Sequence, residues 1–296
     1  MLPGFRRIAD WIEEPLPVLR IEIVRILAPL AILGFMSTRL AHADEWIGDA
    51  GFRVPDVGGD WRQPLYLPAL PSSVAWLLAF AMIASGLACS IGLKTRASAL
   101  IFAATLVYVA VADRLAAFTV SKLSPAIVLA VAAGPAGTRL GVDAWRGRLR
   151  AFEAPERIRS AGSIRFLQAL PVVIYSASGI AKARGDWLSQ PLVLWTHLHD
   201  SYQTPVAFAL ASILPGWAWT VSQGLVLVFE LLAPLWFGVR RLRPFAVAFA
   251  VAMHAGIGLM FGPVVWFAFL MATLVVAGHL PDRFLAPLDR LAQRFE

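Results

Sequence analysis

Apolar residues in this chain come in long runs. Stretches 18–40, 73–93, 97–115, 123–136, 164–184, 217–239, 244–262 and 263–280 are each dominated by aliphatic and aromatic side chains. A helix needs about 20 apolar residues to cross the ~30 Å hydrocarbon core of a bilayer. The runs therefore predict an all-α, polytopic transmembrane bundle of about eight spans. The fourth run is the shortest and has Lys122 and Pro125 at its start. A further apolar stretch, 203–214, is too short to cross and is bracketed by Pro205 and Pro215, which predicts a re-entrant or interfacial helix.

Charge orders the spans. With the N-terminus in the cytoplasm, the inner segments hold Arg6, Arg7, Lys94, Arg96, Arg139, Arg146, Arg148, Arg150, Arg157, Arg159, Arg240, Arg241, Arg243, Arg283, Arg290 and Arg294. The outer segments hold only Arg39, Arg53, Arg62, Arg114, Lys122 and Arg184. The first outer loop is acidic, with Asp44, Glu45, Asp49, Asp56 and Asp60. This asymmetry follows the positive-inside rule and predicts cytoplasmic N- and C-termini. Losing the fourth span would invert every later loop against that rule.

Three flanking segments read as surface helices. In 1–17, Phe5, Ile8, Trp11 and Ile12 recur at helical spacing, which fits an interfacial amphipathic helix rather than a cleaved leader. Segment 137–163 carries Trp145, Leu149 and Phe152 among basic residues, and the cytoplasmic tail 281–296 carries Phe284, Leu285, Leu288 and Leu291. Both suit a layer of anionic lipid. Between them, 18–280 forms one membrane domain.

Composition sharpens the picture. The chain is 58% hydrophobic and only 15% charged, well below the quarter usual in soluble domains. The net charge of +7 reflects cytoplasmic Lys and Arg, so no nucleic-acid partner is expected; the expected partners are membrane lipids. The single cysteine, Cys89, excludes an internal disulfide and makes a thiolate metal site an unsuitable reading. No oligomeric state follows from the sequence. No phosphate-cradling glycine loop, HExxH or GxSxG motif is present.

Against this apolar background, ionisable residues stand out. Lys182 lies near the end of the run 166–181, just before Gly185, Asp186 and Trp187. An ionisable group inside a bilayer costs roughly 2.5–3.5 kcal/mol or more. Burial favours a neutral amine, which is a base. Two readings stand for Lys182: a functional amine, or a side chain that snorkels to the interface or pairs with Asp186 one turn on. Glu230 and His254 lie about ten residues from the inner ends of the sixth and seventh spans, at similar depth on neighbouring helices. That spacing allows a Glu230–His254 pair, either glue between helices or part of a proton relay or polar pocket wall. His197 and His199 form an isolated H-x-H beside Trp195, for which interfacial packing is the simpler reading than a metal site. Arg20, Glu22 and Arg25 open the first span as anchors or a local ion pair. Small residues, Ser176 to Gly179 and again Ala255, Gly256 and Gly258, would allow close helix approach beside both polar sites.

Tyr175-Ser-Ala-Ser178-Gly179-Ile-Ala-Lys182, followed by Asp186-Trp187, resembles a motif of the HTTM, or vitamin K-dependent γ-carboxylase-like, membrane domain. A second stretch agrees: Ser222-Gln-Gly224, Phe229-Glu230, Pro234, the basic turn and His254. The resemblance covers most of the chain and implies an enzyme. Carried over by position, Lys182 is the base that deprotonates a vitamin K-like hydroquinone, His254 is a histidine near the quinone and Glu230 matches an acidic position. Tyr175, Ser178, Gly179 and Trp187 are the cofactor-binding residues so implied, and no metal is expected.

The departures shift the expected chemistry. Ala181 stands where the carboxylases have the first of two adjacent lysines, and Thr138 where the family has a histidine. The carboxylases continue into a large lumenal domain that recruits the protein substrate, whereas this sequence runs to Glu296. Quinol-linked, oxygenase-type oxidation is thus expected ahead of lyase-like protein carboxylation by this chain alone. A non-catalytic membrane factor for maturation or export of a partner peptide is the second reading, and a transporter or quinone-linked redox subunit the third. A bacterial inner (plasma) membrane is the expected location.

Overall fold

The computed structural model describes residues 11–12, 14–51, 67–113, 119–148, 157–158, 161–199 and 203–294. The described residues form helices with one two-stranded ribbon, in two compact units: 1–164 with 290–296, and 165–289. Most of the expected N-terminal surface helix (1–10 and 13) and of the amphipathic part of 137–163 (149–156) lies outside the described residues.

In the first unit, α1 (Leu19–Leu40) packs on α3 (Ser72–Ile91) and α5 (Thr119–Ala133), and α4 (Thr95–Ala112) packs on α3 and α5. The short α2 (Ala43–Trp46) follows α1, and α6 (Val142–Arg148) follows α5. Strand β1 (Leu16–Pro17) pairs antiparallel with β2 (Arg157–Ile158). Ile21, Val24, Ala28, Ile32 and Met36 of α1 recur at helical spacing and are fully buried. The opposite faces are equally apolar: Leu77 and Phe80 of α3 are 67% and 68% exposed. Large aliphatic faces turned outward need an apolar solvent.

The expected charged cluster of the first span is a buried ion pair. Glu22 is fully buried and Arg25 is 1% exposed; Arg25 Nε donates to Glu22 Oε2 at 2.7 Å. Arg25 Nη1 reaches the carbonyls of Cys89 and Ser90 at 2.9 and 2.6 Å, and Nη2 that of Leu140 at 2.8 Å. The guanidinium therefore sits on the last carbonyls of α3, where free acceptors and the helix dipole favour a cation. Gly92, in the left-handed region at φ +74°, makes room; a Cβ there would lie 2.9 Å from Arg25 Nη1. Asp143 of α6 caps the neighbouring helix, accepting from the N–H groups of Lys94 and Thr95 and from the Thr95 hydroxyl.

In the second unit, α7 (Gly162–Arg184), whose body from Arg165 belongs here, leads through a turn to α8 (Val193–His197). Then follow α9 (Pro205–Ile213), α10 (Gly216–Leu231), α11 (Ala233–Gly238), α12 (Arg243–Met260), a 3₁₀ turn (Gly262–Val264), α13 (Val265–His279) and α14 (Asp282–Arg294), of which the part up to Asp289 belongs here. Helices α12 and α13 form a close antiparallel pair, with Gly258 against Val265 and Ala268. In the expected tail helix α14, Phe284 and Leu288 face outward, while Leu285 is buried.

Among the described residues, five helical stretches are long and apolar enough to cross a membrane: α3, α4, α7, α12 and Gly262–His279. The pair α9 and α10, bent by 117°, would make a sixth. The protein is a multi-pass membrane protein. The eight membrane-length stretches expected are not all reproduced, for local reasons. Helix α5 has 15 residues, and α1 carries Arg20, Glu22, Arg25 and Arg39 within its 22. The stretch 217–239 is not one helix, because the chain leaves helical geometry at Leu232 ahead of Pro234.

Candidate functional site

Tyr175, Gly179 and Lys182 stand four and three residues apart on α7, so they share one face. That face meets α10. A Cβ added to Gly179 would lie 2.7 Å from the Leu231 nitrogen and 2.9 Å from the Glu230 carbonyl carbon. Only a glycine lets α7 come this close to the α10 backbone. One turn further along, Lys182 Nζ donates to Glu230 Oε1 at 2.6 Å. The Glu230 side chain is 6% exposed and the Lys182 side chain 24%. Nζ also lies 4.5 Å from the centre of the Trp187 ring, within cation–π range.

Two turns back along α7, the Tyr175 hydroxyl and His254 Nε2 of α12 are 2.7 Å apart. Both side chains are 2% exposed. Phe237 of α11 stacks on the Tyr175 ring at 6.0 Å, Phe229 of α10 meets it edge-on at 5.3 Å, and Phe267 meets His254 edge-on at 5.7 Å. The phenol and imidazole are thus held in an aromatic sheath.

Two atoms of this group are buried with no hydrogen-bond partner among the described residues: Glu230 Oε2 and His254 Nδ1. If Tyr175 donates to Nε2, Nδ1 carries the ring proton; if Nε2 donates, Nδ1 offers a lone pair. Buried polar groups are nearly always satisfied, so such atoms mark places where a polar ligand or water fits.

The expected pairing of Glu230 with His254 is corrected. The depth estimate counted residues along one continuous helix, but the break at Leu232 interrupts that count, and α7 supplies a separate partner for each residue. The alternative Lys182–Asp186 pair is also replaced: Asp186 is exposed in the turn after α7, where its carbonyl accepts from Gln190. Ser178 is half-buried beside Gly179 and no hydrogen bond joins it to these pairs.

The comparisons with known proteins agree with this frame. The family model described as the HTTM domain matches residues 19–278. The chain belongs to the HTTM-domain family. No curated protein and no solved structure matches it. Within this HTTM chain, His197 and His199 each direct Nδ1 to a carbonyl four residues earlier, Val193 and Trp195. Among the described residues, no three His, Cys, Asp or Glu side chains gather as metal ligands.

Sequence reasoning gave Gln223 no role beyond its place in the Ser222-Gln-Gly224 stretch. Gln223 of α10 is 3% exposed. Its amide nitrogen donates to the carbonyls of Trp187 and Gln190, both at 2.8 Å, and its Oε1 accepts from the Leu194 N–H at 3.1 Å. The available signal was an uncharged polar residue inside an apolar helix, which lipid does not solvate.

Proposed function

We propose that the protein is a membrane enzyme of quinol-dependent, carboxylase-related chemistry, working in a bacterial inner membrane, with Lys182 as its base. The observation that carries this reading is the contact of Lys182 Nζ with Glu230 Oε1, in a helix cluster where Glu230 Oε2 and His254 Nδ1 are buried with no hydrogen-bond partner among the described residues. The unpartnered Glu230 Oε2 and His254 Nδ1 suit the hydroxyl groups of a quinol-like lipid, for which Tyr175, Ser178, Gly179 and Trp187 would form the surroundings. When bound, a hydroquinone supplies acidic phenolic protons and reducing electrons.

The chain's own residues do the rest. At 2.6 Å a proton can pass directly between Nζ and Oε1. With that proton on Glu230, the pair is a neutral amine and a neutral acid, and the amine can accept a proton from a ligand hydroxyl. His254 Nδ1 would orient a ligand oxygen, with the ring fixed by Tyr175. Phe229, Phe237 and Phe267 exclude water from this end, which strengthens each polar contact.

Oxygen uptake by the purified protein, with a menaquinol or vitamin K hydroquinone as substrate, tests this. Lys182→Ala should abolish uptake, and quinone should be present in lipid extracts of the wild-type protein. Full uptake by Lys182→Ala rules the reading out. A second reading, a non-catalytic membrane factor for a partner peptide, draws on the closed ion pair itself, which satisfies Lys182 without any ligand. It expects a peptide to co-purify with wild type and Lys182→Ala alike.

A further inference from the structure

We infer that Gln223 is the positioning residue for Lys182, acting through Trp187. The inference concerns the same site and takes from the proposed function only that Lys182 is the working amine. Gln223 and Glu230 stand seven residues apart on α10, two helical turns, and so share a face. Glu230 holds the Lys182 amine by a hydrogen bond. Gln223 holds the turn that carries Trp187, and the Trp187 ring covers the same nitrogen. One helix face therefore sets both neighbours of Nζ.

The clamp uses the whole side chain. Both amide protons and the amide oxygen are engaged, by the Trp187 and Gln190 carbonyls and the Leu194 N–H. The Leu194 N–H belongs to the first turn of α8, where the helix has no acceptor of its own. A carboxylate at this position would lack the two donors, and an aliphatic side chain would lack all three groups. Glutamine is thus chemically specified here. Losing it frees the turn 185–192 and with it the ring over Lys182.

The chain has three lysines, Lys94, Lys122 and Lys182, so amine labelling reports on each by mass spectrometry. Protein in nanodiscs is acetylated with a water-soluble N-hydroxysuccinimide ester, and the Lys182 rate is divided by the Lys94 and Lys122 rates, which cancels general loosening. Q223L and Q223E should each raise the ratio by about threefold, the order of one partly exposed cation–π contact. W187L should do the same, and W187F, which keeps a ring, should stay near wild type. In the W187L background, Q223L should add nothing further. An unchanged ratio in Q223L, or independent multiplying effects of Q223L and W187L, overturns the inference. Should the Gln223 variants fail to fold, hydrogen exchange of the wild-type Leu194 amide decides: protection supports the clamp, and exchange at the free-chain rate overturns it. The assay contains no quinol, so its outcome is separate from that of the oxygen-uptake test.

Discussion

Gly179 lies directly against the Glu230–Leu231 backbone, and this contact brings Lys182 to Glu230. A side chain at 179 would meet main-chain atoms at 2.7–2.9 Å, which cannot rotate away. Gly179→Ala should separate α7 from α10, lengthen the Nζ–Oε1 contact and destabilise the protein by about 1–3 kcal/mol, the usual range for overpacking. A thermal melt in detergent checks the stability. Lys182 labelling should rise in parallel.

Removing the acid should cost more than removing its charge. Glu230→Ala leaves a half-buried ammonium without its partner; breaking a buried pair costs about 3–5 kcal/mol. The Lys182 side chain is 24% exposed, so the lower end of that range applies. Glu230→Gln keeps an acceptor for Nζ and should melt between wild type and Glu230→Ala. Equal melting of both variants would show that the carboxylate oxygen is not what holds Nζ.

The Tyr175–His254 bond offers a cleaner deletion. Tyr175→Phe keeps the ring and its contacts with Phe229 and Phe237 but leaves a second buried nitrogen of His254 without a partner. The cost should be about 1–3 kcal/mol. Bound quinone measured by extraction should also fall, because the imidazole is no longer oriented. Unchanged quinone content in Tyr175→Phe would separate the phenol from ligand binding.

In the first unit, Arg25 is the side chain whose loss should be felt most. Arg25→Met takes the guanidinium away from Glu22, leaving the Arg139 N–H on its Oε1, and frees the carbonyls of Cys89, Ser90 and Leu140. A loss of about 3–5 kcal/mol is expected, seen as poor accumulation or a lowered melting temperature. The double variant Glu22→Gln, Arg25→Met should recover part of it, since the buried carboxylate charge is then removed together with its guanidinium partner.

Asp143 should give stability a dependence on acid. Burial alone would raise its carboxyl, but the N–H groups of Thr95 and Lys94 and the Thr95 hydroxyl outweigh it, with Arg146 adding to them, and hold it below its ordinary 3.8. A carboxyl depressed in the folded state stabilises fully above its unfolded value, and that contribution is lost as pH falls from there through the folded value. Asp143→Asn should remove this component, so its melting temperature should fall less than that of wild type below about pH 4. Identical pH profiles would mean that the cap contributes nothing.

The polarity pattern along the chain by itself determined the solvent and the class of fold. Length and hydropathy are local properties, and they placed α1, α3, α4, α5, α7, α12 and α13 close to their observed ends. They also marked Lys182, Glu230 and His254, since an ionisable group in an apolar run is conspicuous wherever it points. Only the tertiary structure decided the partners. Lys182 takes Glu230 across 48 residues and Tyr175 takes His254 across 79. Those choices turn on a non-local fact: how closely α7 approaches α10 at Gly179. The role of Gln223 stayed hidden for the same reason. An amide's neutral side chain signals little until the carbonyls it must satisfy are in place around it.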